Sequence, residues 1–153
     1  MRVLKTAAAI GYFSTLVYVV LLAPQRSHRP VALQKFEHVR LVPFKGIMDD
    51  MFHPRGHDPL VQWQNFLLNF LGNLLMFVPF SFIMIWAFGI TKARFIVAAA
   101  FLLSVLIEVV QYFTALGVAD IDDVMLNTLS ALIGVYICRF LLGRFNIQST
   151  NAN

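Results

Sequence analysis

The 153-residue chain is 59% hydrophobic and only 13% charged, against roughly 45–50% and about 25% in soluble domains. Its apolar residues stand in long blocks, which excludes an ordinary soluble domain and makes a polytopic, all-α membrane protein the default class. Twelve Lys and Arg against eight Asp and Glu leave a net charge of +4, but most of the basic residues flank apolar blocks. There they act as topology signals and headgroup contacts, not as a nucleic-acid surface.

The first element follows a basic start, Arg2 and Lys5, and runs uncharged from Thr6 to Ala23. That run is long for a secretory signal and is followed by no good small-x-small cleavage site, so a retained first membrane helix within residues 1–23 is expected. Residues 24–65 form a long outer loop holding five of the six prolines and all four histidines, together with apolar pieces such as Val39-Arg40-Leu41-Val42-Pro43-Phe44. A loop of that length is uncommon without a function or some structure of its own. His53 and His57 flank a Pro-Arg-Gly turn and not a helix face, which speaks against a zinc site.

Three further spans fill residues 66–145. No charge occurs between Asp58 and Lys92, and the apolar core there is Phe66 to Phe88. Phe95 to Leu116 contains one charge, Glu108. The last span begins near Ile121 or Val124 and ends near Leu142, with Arg139 snorkelling to the headgroups. The connections at about Gly89–Arg94 and Gly117–Asp123 are tight, so these helices are expected to be antiparallel neighbours. Continuous apolar runs exclude a transmembrane β-barrel. Residues 146–153 read as a frayed polar tail. Pro79 is expected to kink the second helix and open a cavity beside Asn73. Counts of basic residues on the two sides tie, but the inner segments are short and purely basic, which favours both ends inside.

The polar residues inside the spans are periodic. Asn65, Asn69 and Asn73 follow i, i+4, i+8; Ser104, Glu108 and Gln111 follow i, i+4, i+7; and Asp123, Asn127 and Ser130 repeat that spacing. At 1.5 Å per residue, Asn73 lies about 10 Å from its end of the span, Glu108 about 12 Å and Asn127 about 5 Å. All three stripes therefore occupy one half of the bilayer, and a single polar cavity opening toward the two outer loops is expected. Asn, Gln and Ser there also serve as interhelical glue. Glu108 differs, because a carboxylate within a span is a functional-site hypothesis by default. It is the catalytic candidate, while Asn69, Asn73, Ser104 and Gln111, with Asp120, Asp123 and Asn127, are the binding candidates around it.

Asp120, Asp122 and Asp123 offer oxygen ligands to a hard cation, but an aspartate-rich helix start complements the dipole equally well, and no metal is expected. No nucleophile motif, phosphate-binding loop or dinucleotide fingerprint occurs, so no cofactor is implied. Ser130 and Gly134 have the small-xxx-small spacing of close helix contact.

These stripes also carry a family resemblance. Asn69-Phe70-Leu71-Gly72-Asn73-Leu74-Leu75-Met76-Phe77-Val78-Pro79-Phe80 resembles the second-helix motif of the VanZ-like membrane proteins. Ser104-Val105-Leu106-Ile107-Glu108-Val109-Val110-Gln111 is similar to their third-helix signature, and Asp120-Ile121-Asp122-Asp123-Val124-Met125-Leu126-Asn127-Thr128-Leu129 to the start of the fourth. Leu41-Val42-Pro43-Phe44-Lys45 resembles the Pro-Phe element of their first loop, and the likeness covers about residues 40–136 in order and spacing. Two departures stand out. Gly117 lies where the family often has an arginine, leaving the aspartates without a near partner in sequence, and Ser130 replaces a usual glycine.

The resemblance implies a multi-pass protein of the bacterial plasma membrane with an envelope role. The family's namesake gives low-level teicoplanin resistance. The implied partners are membrane lipids and a lipid-linked cell-wall component. The residues leave two other classes open: a small proton-coupled transporter, which four helices could form only as a homo-oligomer, and an intramembrane lipid-headgroup enzyme with Glu108 as base and Asp120 or Asp123 on a cation.

Overall fold

The computed structural model describes residues 1–19, 39–45, 48, 52, 59–114 and 119–150. The side chains of Pro59, Val61, Gln62, Asn65 and Asn69 and of residues 143–150 are outside that description. In chain order the elements are α1 (Arg2–Val17), β1 (Val39–Arg40), α2 (Pro59–Trp86), α3 (Ala93–Thr114), β2 (Ala119–Asp120) and α4 (Ile121–Thr150).

Among the described residues three helical segments are long and apolar enough to cross a membrane: Phe66–Trp86, Ala93–Thr114 and Ile121–Leu142. Their outward surfaces are apolar, with Leu68, Leu75, Leu102, Leu106, Tyr136 and Phe140 all exposed. Buried positions include Ser81, Ser104, Glu108, Gln111, Asn127 and Ser130. Large apolar side chains facing out over a polar-seamed interior suit hydrocarbon as the surrounding solvent, where backbone and side-chain polar groups must pair internally. The expected first span, Thr6 to Ala23, is helical over its described part, and its remainder lies outside the described residues.

Several boundaries differ from the sequence expectation. Helix α2 starts at Pro59, so the last seven residues assigned to the outer loop are helical. A proline at the first helical position lacks only an N–H that would have been unpaired there anyway. The helix is continuous through Pro79. At the other end, α4 reaches Thr150, so residues 146–150 of the expected frayed tail continue the helix, and the remaining three lie outside the described residues.

The packing order also departs from the antiparallel-neighbour reading. Helix α4 packs against both α2 and α3, while α2 and α3 touch each other little. The turn from α2 to α3 explains how a short connection achieves this. Gly89 takes φ 71°, a left-handed conformation that glycine adopts without strain. The turn's Thr91 carbonyl then accepts a hydrogen bond from Arg139 Nη2 on α4 at 2.9 Å. Arg139 is thus exposed and held at the end of the bundle, as its snorkelling position requires.

At mid-depth α4 meets α2 closely. Ser81 Oγ donates to the Ala131 carbonyl at 2.6 Å, one turn from Gly134. The apolar core here comprises Phe77 and Phe80 of α2, Ile96 and Ala100 of α3, Ala131 and Val135 of α4, and Leu16 of α1. Helix α1 is pinned through Tyr12, whose hydroxyl donates to the Met76 carbonyl at 2.7 Å.

Candidate functional site

The three polar stripes converge at one end of the bundle, where hydrogen bonds tie them together across the helices. Asn73 Nδ2 of α2 donates to Asp123 Oδ1 at 2.8 Å, tying α2 to the first turn of α4. Asn127 Nδ2 donates to Ser104 Oγ at 2.8 Å, tying α4 to α3. Glu108 Oε2 accepts the backbone N–H of Asp120 at 2.9 Å, tying α3 to the start of α4. Ser104, Glu108, Gln111 and Asn127 are all buried, and Asn73, Asp120 and Asp123 are half-buried. The Asn69 side chain lies outside the described residues.

Asp120 stands immediately before α4. Its Oδ1 accepts the N–H of Asp122 at 2.9 Å, the bond that a helix N-cap makes to the second helical residue. Asp122 is buried and accepts the N–H of Phe44, while Asp123 turns toward Asn73. The three carboxylates therefore serve three different elements. Among the described residues no group of three or more His, Cys, Asp and Glu is arranged to hold a metal ion.

The partner that the aspartates lack in sequence comes from the first loop. β1 and β2 pair in parallel, with Val39 opposite Ala119 and Arg40 opposite Asp120. Arg40 Nη1 then lies 3.5 Å from Asp120 Oδ2. Beyond β1, Val42-Pro43-Phe44-Lys45 forms a turn closed by Lys45 N–H to the Val42 carbonyl at 3.2 Å. Pro43 occupies its second position and Phe44, at φ 63°, its third, the pattern of a type II turn. A phenylalanine there is strained, and its N–H is held by the Asp122 carboxylate. The Pro-Phe element is thus a clamp on the N-terminus of α4.

Beside this clamp lies an open groove of about 300 Å³, at the low end of the ~300–1,000 Å³ typical of ligand pockets. Its walls are apolar and include Leu41, Val105, Val109 and Phe113, with Glu108 and Asp120 at its edge. Of the predicted site residues these two border the groove; Asn73 and Asn127 do not line it, nor does it lie beside Asn73, where the Pro79 kink was expected to open a cavity. Arg40 and the apolar lining were not singled out in the sequence. Their one signal was the apolar stretch Val39–Val42 inside an otherwise polar loop.

The family model described as VanZ/LLP1 matches residues 9–142. The chain belongs to the VanZ/LLP1 family. No curated protein and no solved structure matches it. The match takes in every element of the VanZ-like site, including the β1 segment that supplies Arg40 and the turn at Phe44.

Burial pushes the Asp120 carboxyl above the usual carboxylate range; the Asp122 N–H pulls it down, the Asp122 charge raises it again, and Arg40 lowers it. On balance the native surroundings raise its affinity for a proton above that in the unfolded chain. A carboxyl raised on folding contributes stability at low pH that is lost as pH climbs from its unfolded value through its native one. Asp120→Asn retains an oxygen for the Asp122 N–H and removes the charge. Its stability at neutral pH should equal or exceed that of the native chain, with a flatter profile over the range from acid to neutral pH. Asp120→Ala loses the cap and should be less stable by about 1 kcal/mol. Thermal unfolding in micelles across that range checks both, and a neutral-pH loss in Asp120→Asn as large as in Asp120→Ala would overturn the assignment.

Proposed function

We propose that this VanZ-like protein sits in the bacterial plasma membrane with four spans, residues 1–23 supplying the first. Both ends face the cytoplasm, and the clamp and groove lie in the outer half of the bilayer. Its role is in the cell envelope: it binds or handles the polar head of a lipid or lipid-linked wall precursor, a role that extends to glycopeptide resistance of the teicoplanin type. Asn69, Asn73, Ser104 and Gln111 with Asp123 and Asn127 frame the site; Glu108 and Asp120 face the ligand, and Arg40 pairs with Asp120.

One observation carries this reading. An apolar groove open to the bilayer has the buried Glu108 and the half-buried Asp120 at its edge, and Asp120 is paired with Arg40. A ligand that fits must be apolar along its length and polar at one end, which is the character of a lipid. The polar pairs that hold α2, α3 and α4 together fix the edge groups in place, so the polar end of the ligand would be met without reorganising the bundle.

Leu41 is exposed at the groove wall, and the buried Cys138 is the one cysteine to remove. A charged, membrane-impermeant photo-crosslinker should attach to Leu41→Cys, in a Cys138→Ala background, from outside intact cells. Illumination should then capture a lipid-linked species. Attachment confined to broken cells would reverse the orientation, and attachment without a lipid adduct would remove the ligand reading.

A further inference from the structure

A second groove lies at the opposite end of the bundle, between the first half of α1 and the end of α2, with a volume of about 590 Å³. Along its α1 wall, Arg2, Lys5, Ala9, Ile10 and Phe13 follow i, i+3, i+7, i+8, i+11 and share one helix face. The order of chemistry along that face is graded. Two cations stand at the membrane-water end, and beyond Lys5 the apolar Ala9, Ile10 and Phe13 continue for about 12 Å, flanked by Thr6 and Ser14.

Helix α1 is fastened to the bundle through its second half, by Tyr12 on the Met76 carbonyl and by Leu16 in the core. Phe13 closes the deep end of the groove against Phe80, ring centroids 6.3 Å apart and nearly perpendicular. The first half stands away from α2, with Ala9 a buried small residue and Ile10 left exposed. Lys5 Nζ sits 5.6 Å from the Trp86 ring centroid, which fixes the cation at the mouth. Among the described residues lining the groove none is acidic, and neither Arg2 nor Lys5 enters an ion pair.

We propose that this groove holds an anionic phospholipid of the leaflet on the N-terminal side, its phosphate between Arg2 and Lys5 and one acyl chain laid along Ile10 and Phe13. Charge complementarity selects this occupant over a helix of a second copy, whose burial here would leave two cations without counter-charges in an apolar contact. The site is separate from the groove at Glu108, so its test is independent of the proposed function.

Trp86 reports on the groove directly. In the Trp63→Phe chain, whose remaining tryptophan is Trp86, reconstitution into phosphatidylcholine vesicles doped with phosphatidylglycerol allows two quenching measurements. One uses phosphatidylglycerol with brominated acyl chains, the other equally brominated phosphatidylcholine at the same mole fraction. The anionic lipid should quench more strongly. Arg2→Gln and Lys5→Gln should each lower that preference about fivefold, the value of one cation near an anionic headgroup. Arg94→Gln is the control, because Arg94 lies at the same membrane face but stacks on Phe95, 4.9 Å from its ring centroid, outside the groove. It should leave the preference intact. Equal quenching by the two lipids, or quenching by neither, would overturn the proposal in the parent chain alone, without reliance on any charge variant. An equal loss in Arg94→Gln would overturn it too, by assigning the attraction to diffuse surface charge.

Discussion

Gly134→Ala should be among the most destabilising single-methyl changes in the chain. A Cβ at Gly134 would lie 2.6 Å from the Val78 carbonyl oxygen, 3.0 Å from Ser81 Cβ and 3.1 Å from Ser81 Oγ. The nearest of these is backbone, so no rotamer change relieves the clash, and α2 and α4 must separate. Separation would also stretch the 2.6 Å bond from Ser81 to the Ala131 carbonyl one turn away and loosen Phe77, Phe80, Ala131 and Val135 in the core. Overpacking of this kind costs about 1–3 kcal/mol, and Gly134→Val should exceed the alanine variant. Gly72→Ala supplies the contrast, since a Cβ there meets nothing within 4 Å. Being helical, Gly72→Ala should be neutral or stabilising by up to about 1 kcal/mol. Thermal unfolding in micelles distinguishes the two, and equal midpoints would show that the close approach at Gly134 does not support the bundle.

The spacing of Ser130 and Gly134 announced a close contact in the sequence, because small residues four apart let backbones approach. What they approach was illegible. Val78 and Ser81 belong to a helix about 50 residues earlier, and nothing in their own spacing marks them as its counterpart. The buried face of α3 was legible for a related reason. Polar residues in an apolar run avoid lipid, so the i, i+4, i+7 spacing of Ser104, Glu108 and Gln111 gives the inward face directly.

The bonding partners were harder to read than the faces. Depth arithmetic placed Asn73, Glu108 and Asn127 in one half of the bilayer, and the structure places all three near the start of α4. It could not show that Asn73 ties α2 to α4 while Asn127 and Glu108 both tie α3 to α4. The largest omission was Arg40. Charge, burial and register make it the partner of Asp120, yet the register exists only once β1 pairs with β2, 80 residues apart. Local periodicity carries no information about a two-residue parallel pairing, and the strained turn at Phe44 depends on the same docking.

Glu108→Gln should separate what this residue does for the fold from what it does for a ligand. In the folded chain Glu108 Oε2 accepts the Asp120 N–H at 2.9 Å. A glutamine keeps an acceptor oxygen of the same reach, so the variant should insert and accumulate like the native chain. Glu108→Leu removes the acceptor and leaves the Asp120 N–H in an apolar site, at a cost of about 1–3 kcal/mol. Because that N–H belongs to the residue that caps α4 and pairs with Arg40, the clamp on the helix start should loosen with it. The leucine variant should therefore lose protein level as well as activity. The glutamine variant should lose activity alone, by about tenfold or more, the value of a hydrogen bond to a charged group rather than to a neutral one. The readout is the envelope-antibiotic sensitivity of cells complemented with each variant, with membrane protein level measured in the same cultures. A normally accumulating Glu108→Gln chain with full activity would assign Glu108 to the scaffold. The groove would then be left with Asp120 as the charged group at its edge, and the activity assay would move to Arg40→Gln, which removes the partner of Asp120.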